Sequence, residues 1–551
     1  RIIEKIKLEN NFNDITAKQI LAKNFKKDEI HSINNNFDIT NPFLNKSDFL
    51  QAIEIFDYSI KNNENICIIG DYDVDGCVST SLFVKFLKNL NTNYYYYIPD
   101  RFKDGYGTSL KLVKKLLEKK PDLIIMVDNG SSSYEAINYL NKRKIKSIII
   151  DHHEIYKPYP KSNVLINPKK KTDYSKFNYF CSAVLTYFFI DLYIKNKNLK
   201  LDFTYNLHLV LLAIISDVMP LRQINRSIAK IVLSKNYLND DYIFKKIFEL
   251  KNIKKPLEID DFGFLFSPIF NSAGRLGNPN IIVELFTTNK ILLKDQIINK
   301  LITLNEKRKI IEFNYLEKLD LKMIRSNNKS IIFIENNIMN EGIIGIIASN
   351  IKTLFEMPTV VITKSSDFYK GSARSVDNFS IGKYIKTAVD NKILESGGGH
   401  NLAAGFTIKK KNINRFKDYL NNLFKKNYIL SPSRYLSKIS LSALSNNFLS
   451  DLSKLKPYGQ ENQNPKFLIE NLKIIKPKII NKKFISCLIK NKFGKTFPAI
   501  SFNLINSEIS NNLLYNKNEL DLIVQIKENL WNNKKRLQII IIDIINRANK
   551  A

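Results

Sequence analysis

The chain has 551 residues, of which 44% are hydrophobic and 25% charged, and its formal net charge is +32. This length exceeds a single hydrophobic core and predicts about three or four domains, and the hydrophobic fraction is that of an ordinary soluble globular protein. No run approaches the roughly 20 apolar residues of a membrane-spanning helix, and the start, Arg1–Lys5, lacks the pattern of a secretory signal.

The distribution of charge says more about partners than the total does. Lys, Asn and Ile are abundant throughout, as codon bias in an AT-rich genome would produce, so the net charge alone does not establish a nucleic-acid partner. The acidic clusters lie early in the chain, however, while the last third is densely basic, which favours a phosphate-backbone partner. The four cysteines form no CxxC pair, which predicts reduced thiols and a cytoplasmic protein. Because the chain does not begin with Met, we also expect a trimmed or truncated start.

In chain order, residues 1–45 predict a polar extension with helical pieces. Strand-like segments then alternate with helix-like ones, at 65–70, 94–98, 123–128 and 147–151. This alternation predicts a parallel sheet with right-handed crossovers. Helices are predicted over 180–216, and a long amphipathic pattern predicts a connecting helix over 291–328.

A second α/β unit is predicted over 329–428, with strands at 330–334 and 359–362 around a helix at 342–354. Several short apolar runs in 432–551, broken by Asn, Lys and Gly, predict a small all-β barrel. The predicted fold class is therefore α/β: a parallel-sheet domain joined by a long helix to a smaller α/β domain, followed by an all-β barrel.

Acidic and histidine side chains follow three of the predicted strands. Asp71, Asp73 and Asp75 come after the first, in a segment that we expect to be extended, so that all three face one crevice. Asp128 follows the strand at 123–128, and Asp151-His152-His153 follows the next. The carboxyl ends of parallel strands meet at one edge of a sheet. Because carboxylates at close range repel, this cluster predicts divalent cations and a metal-dependent hydrolase.

Each motif has a simpler explanation when it is taken alone. The Asp-x-Asp-x-Asp segment is compatible with a calcium loop or a helix cap, although the preceding strand and the missing Glu at the twelfth position exclude an EF-hand. Asp128 before Asn-Gly is compatible with turn chemistry, and Asp217 after an apolar run with an ordinary cap.

Arginine and histidine beside glycine supply candidate phosphate contacts. Arg275 lies within Asn271–Gly277, Ser372 and Arg374 lie within Gly371–Ser375, and His400 follows three glycines. We expect these stretches to be loops in which glycine lets the backbone approach a phosphate and arginine binds it. Any one of them alone is also compatible with an ordinary loop.

In this order the motifs resemble those of the DHH phosphoesterase superfamily, and most closely the RecJ family of single-strand-specific exonucleases. The resemblance covers about residues 46–551. Its matching stretches are Asp71–Gly76, Val127–Gly130, Asp151–His153, Ser216–Val218, Ser272–Leu276, Gly342–Ser349, Gly371–Ser375, Gly397–His400 and Pro457–Gly459. Small pyrophosphatases and oligoribonucleases of the superfamily lack the C-terminal barrel, so its presence favours the RecJ family.

The resemblance implies a set of site residues and two Mn²⁺ or Mg²⁺ ions. Asp73 and Asp128 would hold one ion, while Asp75, Asp128, His152 and Asp217 would hold the other. Asp71, His153 and Arg275 would take part in catalysis, with His153 facing the scissile phosphate and Arg275 stabilising its charge. Ser372, Arg374 and His400 would join Arg275 in binding phosphate and would orient the DNA 5′ end.

The resemblance also implies the function of each predicted part. Residues 46–290 would form the DHH catalytic domain, 329–428 a DHHA1 domain, and 432–551 an oligonucleotide-binding (OB) fold. Candidates there for holding the strand are Lys466, Phe467, Lys482, Lys483, Phe484, Lys492, Phe493 and Lys495, although several of the aromatics are equally compatible with barrel core. The implied protein is a monomeric 5′→3′ exonuclease for single-stranded DNA in recombination and repair.

Partners and alternatives complete the sequence-based interpretation. The partners would be single-stranded DNA, a single-strand-binding protein and a helicase, with no membrane. Two other functions stay open: a nuclease for short RNA or small nucleotides, and a non-catalytic DNA-binding relative. The chain departs from the family at Met339-Asn340, where Trp-His is common, and at Tyr458–Gln463. These departures affect predicted DNA contacts and a loop, and they leave the metal ligands in place.

Overall fold

The computed structural model describes residues 2–34, 39–105, 107–234, 241–319, 331–365, 367–427, 434–481, 484–503, 507–531 and 534–545. The chain divides into two compact units, each built from segments that are distant in sequence. One comprises Ile39–Pro220 and Ile228–Ile429, and the other Arg1–Asp38, Leu221–Ser227 and Leu430–Ala551. Within the described ranges, no helix is long and apolar enough to cross a membrane.

The first α/β domain contains a five-stranded sheet in the order β2-β1-β3-β4-β5, with every neighbouring pair parallel. Its strands are β1 Ile66–Ile69, β2 Tyr94–Tyr97, β3 Leu123–Val127, β4 Lys146–Ile150 and β5 Val164–Ile166. All residues of β1 and β3 are buried, as expected for parallel strands covered on both faces. The predicted parallel sheet is confirmed, and β5, with three residues, is a strand that the sequence did not reveal.

Helices make up the rest of this domain. They are Ser47–Lys61, Val74–Leu90, Leu110–Leu116, Tyr134–Lys142, Ser182–Asn196, Leu207–Ser216, Tyr242–Leu250, Ser267–Leu276 and Asn280–Thr287, with the part of the Gln223–Ser234 helix that begins at Ile228. The connecting helix predicted over 291–328 is observed as Ile291–Glu317, and residues 320–330 lie outside the described ranges.

The second α/β domain has a mixed sheet in the order β6-β7-β8-β10-β9. The strands are β6 Ile332–Glu335, β7 Thr359–Ser365, β8 Phe368–Arg374, β9 Ser396–His400 and β10 Ala403–Ile408, and the helices are Ile344–Phe355, Ile381–Asp390 and Ile413–Asn427. Their apolar faces form one core around Ile347, Val360 and Phe416.

The glycine-rich stretches predicted as phosphate-binding loops are regular structure. Gly371–Arg374 lies in β8, Gly397–His400 is most of β9, and Arg275 lies in the last turn of the Ser267–Leu276 helix. Close packing requires Gly371, Gly397 and Gly399, whereas a Cβ at Gly398 would meet nothing within 4 Å. A Cβ at Gly371 would lie 2.0 Å from Cζ of Phe406, so the aromatic ring occupies the place of a side chain.

The other unit contains a six-stranded barrel in the order β11-β12-β13-β14-β16-β15, closed by a pairing of β12 with β15. The strands are β11 Ser437–Lys438, β12 Lys466–Ile480, β13 Phe484–Lys490, β14 Thr496–Ser501, β15 Leu520–Trp531 and β16 Lys534–Ile545, with helices Asn446–Ser453 and Glu508–Tyr515. The predicted all-β barrel is confirmed. Two of the short apolar runs in 432–551, at 467–469 and 472–475, lie in one strand, β12, whose register shifts between Ile469 and Leu472.

The N-terminal helices of this unit are Ile2–Asn10, Asp14–Ala22 and Lys27–Asn34, and they share a core with the segment between β11 and β12. Phe12, Ile20, Phe25 and Ile33 pack with Leu455. The segment 221–227 is fixed in the same unit by two arginines. Arg222 donates to both carboxylate oxygens of Glu29 at 2.6 and 2.7 Å, and buried Arg226 donates to the carbonyls of Lys454 and Lys456.

Candidate metal centre and phosphate pocket

Asp128 lies at the carboxyl end of β3, in the left-handed region with φ +63°. Its N–H donates to the carbonyl of Ile150 in β4 at 3.0 Å. The side-chain amide of Asn129 donates to the carbonyls of Ile69 in β1 and Val127, at 3.1 and 2.8 Å. These bonds tie the turn after β3 to both neighbouring strands, and they fix the Asp128 carboxylate at the edge that the sequence predicted.

The Asp71–Asp75 segment turns directly from β1 into a helix. Asp73 caps the Val74–Leu90 helix by accepting from the N–H of Gly76 at 3.1 Å, and Asp75 lies in the first helical turn. A Cβ at Gly76 would lie 2.4 Å from the backbone nitrogen of Asp71, so only glycine permits this tight entry. The prediction that the three carboxylates alternate along an extended segment is wrong, because the helix begins at Val74.

The predicted metal ligands nevertheless meet. Three overlapping groups have ligand atoms within 4.8 Å of one another: Asp71, Asp73 and Asp128; Asp75, His152 and Asp217; Asp128, His152 and His153. The Nε2 atom of His152 lies 3.3 Å from Asp128 Oδ1, 3.4 Å from Asp217 Oδ2 and 3.7 Å from Asp75 Oδ2. Asp128 therefore connects the first group with His152, which in turn lies at the centre of the second.

The electrostatics of this cluster favour a bound cation. Burial, and then the charge of Asp73, raises the pKa of Asp75 to about 6 and that of Asp71 to about 7. Burial and the charge of Asp75 raise the pKa of Asp128 and of Asp217 well above the usual range. Burial and the charge of His153 lower the pKa of His152, which leaves its imidazole neutral, as a metal ligand must be.

Hydrogen bonding supports the same conclusion. Among the described residues, the buried atoms Asp71 Oδ1 and Asp128 Oδ2 have no hydrogen-bond partner. Buried polar atoms are normally paired. Carboxylate oxygens together with one imidazole form the donor set that Mn²⁺ and Mg²⁺ accept. The residues present therefore fit divalent ions.

His153 is held differently from its neighbour. Its Nδ1 lies 2.7 Å from Asp151 Oδ1, and Asp151 Oδ2 accepts from the N–H of Ser131 at 3.0 Å. Burial lowers the pKa of His153, but the charge and the hydrogen bond of Asp151 outweigh it and raise the pKa to about 9. His153 thus places a positive ring beside the acidic cluster.

One supporting element was missed from the sequence. The Ser182–Asn196 helix begins against Asp75, whose carboxylate accepts from the N–H groups of Ser182 and Ala183 at 2.8 and 2.9 Å. Ser182 Oγ also donates to Asp128 Oδ1 at 3.1 Å. A helix N-terminus stabilises a carboxylate. The sequence carries no local signal for this contact, because Cys-Ser-Ala before an apolar helix is an ordinary start.

Three arginines lie close together next to the acidic cluster. Arg275 donates from Nη1 to the carbonyl of Gly342 at 2.9 Å, and Arg374 donates from Nη1 to Ser372 Oγ at 3.1 Å. Arg101 lies over the ring of Tyr72, 4.2 Å from its centroid. Burial, followed by the charges of Arg101 and Arg374, lowers the pKa of Arg275 to about 9. Such mutual repulsion among cations favours a bound anion.

Arg101 was not predicted. It lies in Pro99-Asp100-Arg101-Phe102, four residues before Gly105, and the sequence analysis did not single it out from the many other basic residues. Only the fold brings it to Arg275. A Cβ at Gly274 would lie 2.2 Å from the carbonyl oxygen of Tyr72, so the glycine beside Arg275 allows the contact between the helix and the segment on which Arg101 stacks.

His400 reaches the same centre from the second α/β domain. Its ring centroid lies 5.9 Å from that of His153 and 6.1 Å from that of His152. Lys169 Nζ lies 3.4 Å from His400 Nδ1. The structure therefore brings every sequence-predicted site residue into one region built from both α/β domains.

Comparison with protein families matches three successive parts of the chain. The DHH family, N-terminal domain, matches residues 65–214, and the DHHA1 domain matches residues 328–426. The RecJ OB domain matches residues 437–543. The chain is therefore similar to members of the DHH family over its first α/β domain and to RecJ proteins over its barrel. A DHH domain, a DHHA1 domain and a RecJ OB domain thus follow one another in this chain, in the order predicted.

Curated RecJ proteins are similar along most of the chain. The single-stranded-DNA-specific exonuclease RecJ of Haemophilus influenzae is 28% identical over 529 residues, which cover 89% of each chain. That of Escherichia coli is 26% identical over 535 residues, covering 91% of each. RecJ of Bacillus subtilis is 26% identical over 517 residues, covering 92% of this chain, and the chain spans 64% of that relative's length.

Solved RecJ structures share the fold. The crystal structure of RecJ in complex with Mn²⁺ from Thermus thermophilus has a TM-score of 0.82 at 20% identity and covers 99% of this chain and 78% of that one. The Mg²⁺ complex of RecJ from the same organism has a TM-score of 0.75 at 18% identity and covers 99% and 76%.

Proposed function

We propose that the chain is a metal-dependent exonuclease that hydrolyses single-stranded DNA from its 5′ end, in DNA recombination and repair. The observation that carries this proposal is the set of three overlapping ligand groups connected through Asp128 and His152, directly beside a cluster of three arginines. The RecJ relatives, named as single-stranded-DNA-specific exonucleases, support the substrate class.

The ligand groups suit two ions, Mn²⁺ or Mg²⁺. Asp73 and Asp128, with Asp71 beside them, would hold one ion, and Asp75, Asp128, His152 and Asp217 would hold the other. Bound there, the ions would supply Lewis acidity at the phosphate and activate the attacking water. The two Thermus RecJ complexes, one with Mn²⁺ and one with Mg²⁺, support this choice of cofactor.

The protein's own groups would act on the scissile phosphate from two sides. His153, kept protonated by Asp151, would donate a hydrogen bond to a phosphate oxygen. Arg275, held in place by the carbonyl of Gly342, would stabilise the negative charge that develops in the transition state. Asp71, buried next to Asp73, would orient the attacking water or the ion beside it.

The pocket around Ser372, Arg374 and His400 would bind the 5′ end of the strand, with Arg101 as a further contact. A guanidinium binds a phosphate through two parallel hydrogen bonds, and a 5′-terminal phosphate carries more charge than an internal one. Since β8 and β9 place this pocket beside the metal ligands, the end group and the first scissile bond would be engaged together.

The outer face of the barrel would hold the rest of the strand. Phe484 and Phe502 lie side by side with ring centroids 5.8 Å apart, and Phe502 is 63% exposed. Lys473 and Lys490 are paired across β12 and β13 on the same sheet. Stacking aromatics beside backbone-binding lysines are the usual features of a single-strand groove.

The prediction that Phe467 lines this groove is wrong, because its side chain is fully buried in the barrel core. Lys482 and Lys483 lie outside the described residues. Phe493 is 78% exposed at the tip of the β13–β14 hairpin and stays a candidate.

The remaining aspects of function rest on the family resemblance. We propose a cytoplasmic monomer that acts with a single-strand-binding protein and a helicase; the four buried, unpaired cysteines are compatible with a reducing compartment. A non-catalytic relative would not need the complete ligand set that meets here. A nuclease for short RNA would not need the barrel.

End-labelled substrates test the proposal. Purified protein with Mn²⁺ or Mg²⁺ should release the label from 5′-labelled single-stranded DNA first, should degrade duplex DNA slowly, and should stop when a chelator is added. Early release of a 3′ label, or a preference for short RNA, would contradict the proposed polarity or substrate. Absence of hydrolysis with both metals would support the non-catalytic alternative.

A further inference from the structure

Lys169 connects the two α/β domains at the active site without belonging to any of the predicted motifs. It follows β5 in the sequence Asn167-Pro168-Lys169, and its backbone N–H donates to Asn167 Oδ1 at 2.9 Å. Asn167 in turn donates to Ser131 Oγ and to the carbonyl of His153, both at 2.9 Å. The loop that carries Lys169 is therefore tied to the same turn and strand end that hold His153.

The ammonium group of Lys169 has two neighbours. It forms an ion pair with Glu154 Oε1 at 2.9 Å, and it lies 3.4 Å from Nδ1 of His400. The Lys169 side chain is only 16% exposed, which restricts its alternative positions. Glu154 and Lys169 come from the first domain and His400 from β9 of the second, so this contact crosses the active-site cleft.

An ammonium has only donors. Nδ1 of His400 must therefore present its lone pair to Lys169, and the proton of the neutral ring must lie on Nε2. In this tautomer Nε2 donates a hydrogen bond, as a phosphate oxygen requires.

We propose that Lys169 is a positioning residue that fixes His400 in the Nε2–H tautomer, so that His400 donates to a phosphate oxygen of the bound strand. This inference rests on the proposed function for its consequence in catalysis, but the tautomer itself is a property of the DNA-free protein. Without Lys169 the ring is able to present the Nδ1–H tautomer, in which Nε2 offers a lone pair to the phosphate and repels it.

The matched variants are Lys169→Met and Lys171→Met. Both remove one positive charge from the same loop, but Lys171 is exposed and is not part of the contact with Glu154 and His400. On 5′-phosphorylated single strands, Lys169→Met should lower kcat/KM by about tenfold, the scale of one lost hydrogen bond, while Lys171→Met should match the parent. Lys169→Arg keeps a cationic donor and should recover part of the loss.

A double-mutant cycle separates positioning from direct contact. If Lys169 acts through His400, then Lys169→Met in a His400→Ala background should cost less than about twofold. The same tenfold loss in that background would overturn the proposal and would show that Lys169 binds phosphate itself.

Nitrogen-15 shifts of the imidazole rings provide the readout independent of activity. The chain has 5 histidines, and the signals lost in His400→Ala identify the ring in question. In the full-length protein without DNA, His400 should be protonated at Nε2, and Lys169→Met should yield a tautomer mixture. Unchanged shifts in Lys169→Met would overturn the inference, whereas the expected shifts in a protein without exonuclease activity would refute the proposed function alone.

Discussion

Replacing Arg374 by alanine removes one member of the arginine cluster and tests the proposed 5′-phosphate pocket. Arg374 donates to Ser372 Oγ and to the carbonyl of Ala373, in both cases from Nη1, so among the described residues Nη2 and Nε keep their donors for a ligand. One charge-assisted hydrogen bond contributes about 1.5–3 kcal/mol. At 1.36 kcal/mol for each factor of ten, kcat/KM on a 5′-phosphorylated strand should fall about 10- to 150-fold.

The assay compares 5′-phosphoryl with 5′-hydroxyl oligonucleotides of one sequence. A 5′-hydroxyl end offers no terminal charge, so its rate should fall much less, and the preference between the two ends should shrink. Arg415→Ala is the matched control, because Arg415 is an exposed arginine of the same domain on the Ile413–Asn427 helix. Thermal stability should not fall, since the three arginines repel one another. Equal losses on both substrates would refute a role in end recognition.

Three further outcomes are expected. Asp128→Asn should abolish cleavage and leave binding of single-stranded DNA largely intact, since it removes a carboxylate charge that belongs to two of the three ligand groups. Turnover above a few per cent in saturating Mn²⁺ would argue against a bridging ligand. In metal-free protein the pKa of Asp75 is raised to about 6 and that of Asp71 to about 7, so the native state binds more protons than the unfolded chain. The free energy of unfolding should therefore fall as pH rises through these values, and Mn²⁺ should suppress that loss. Melting temperatures of the metal-free protein that rise between about pH 5 and pH 8 would contradict this. On the barrel, Phe502→Ser should weaken binding of long strands by about 1–3 kcal/mol, while Lys473→Gln should lower the slope of log affinity against log salt by about 1; unchanged affinity and slope in filter-binding titrations would exclude this face.

The sequence predicted well which acidic and histidine side chains meet, because its signals are local. Short apolar runs end at Asp128 and at Asp151-His152-His153, and parallel strands necessarily bring such ends to one edge. What it mispredicted was the conformation between the ligands. Asp73 and Asp75 follow the strand with a spacing that suits an extended segment, but the N-cap bond from Gly76 to Asp73 starts a helix there.

The glycine-rich stretches were the least reliable basis for predicting the local structure of the site. The sequence suggested phosphate-binding loops around Ser372, Arg374 and His400, whereas most glycines of β8 and β9 provide space for packing, as Phe406 over Gly371 demonstrates. Arg101, Ser182 and Lys169 could not be found at all. Each reaches the site only through a contact with a residue that is distant in sequence, and no periodicity or motif records such a contact.

The unit that contains the barrel combines the two ends of the chain, and this affects the order in which the protein folds. Phe12, Ile20, Phe25 and Ile33 find their partner Leu455 only near the end of the chain. At about 5–20 residues per second, the roughly 420 residues between Ile33 and Leu455 occupy a ribosome for some 20–80 seconds. Throughout that interval the nascent N-terminal helices keep an apolar face uncovered, which offers a binding surface to chaperones. The segment carrying Arg222 and Arg226 must likewise wait for the carbonyls of Lys454 and Lys456, so this unit is completed after translation of most of the chain.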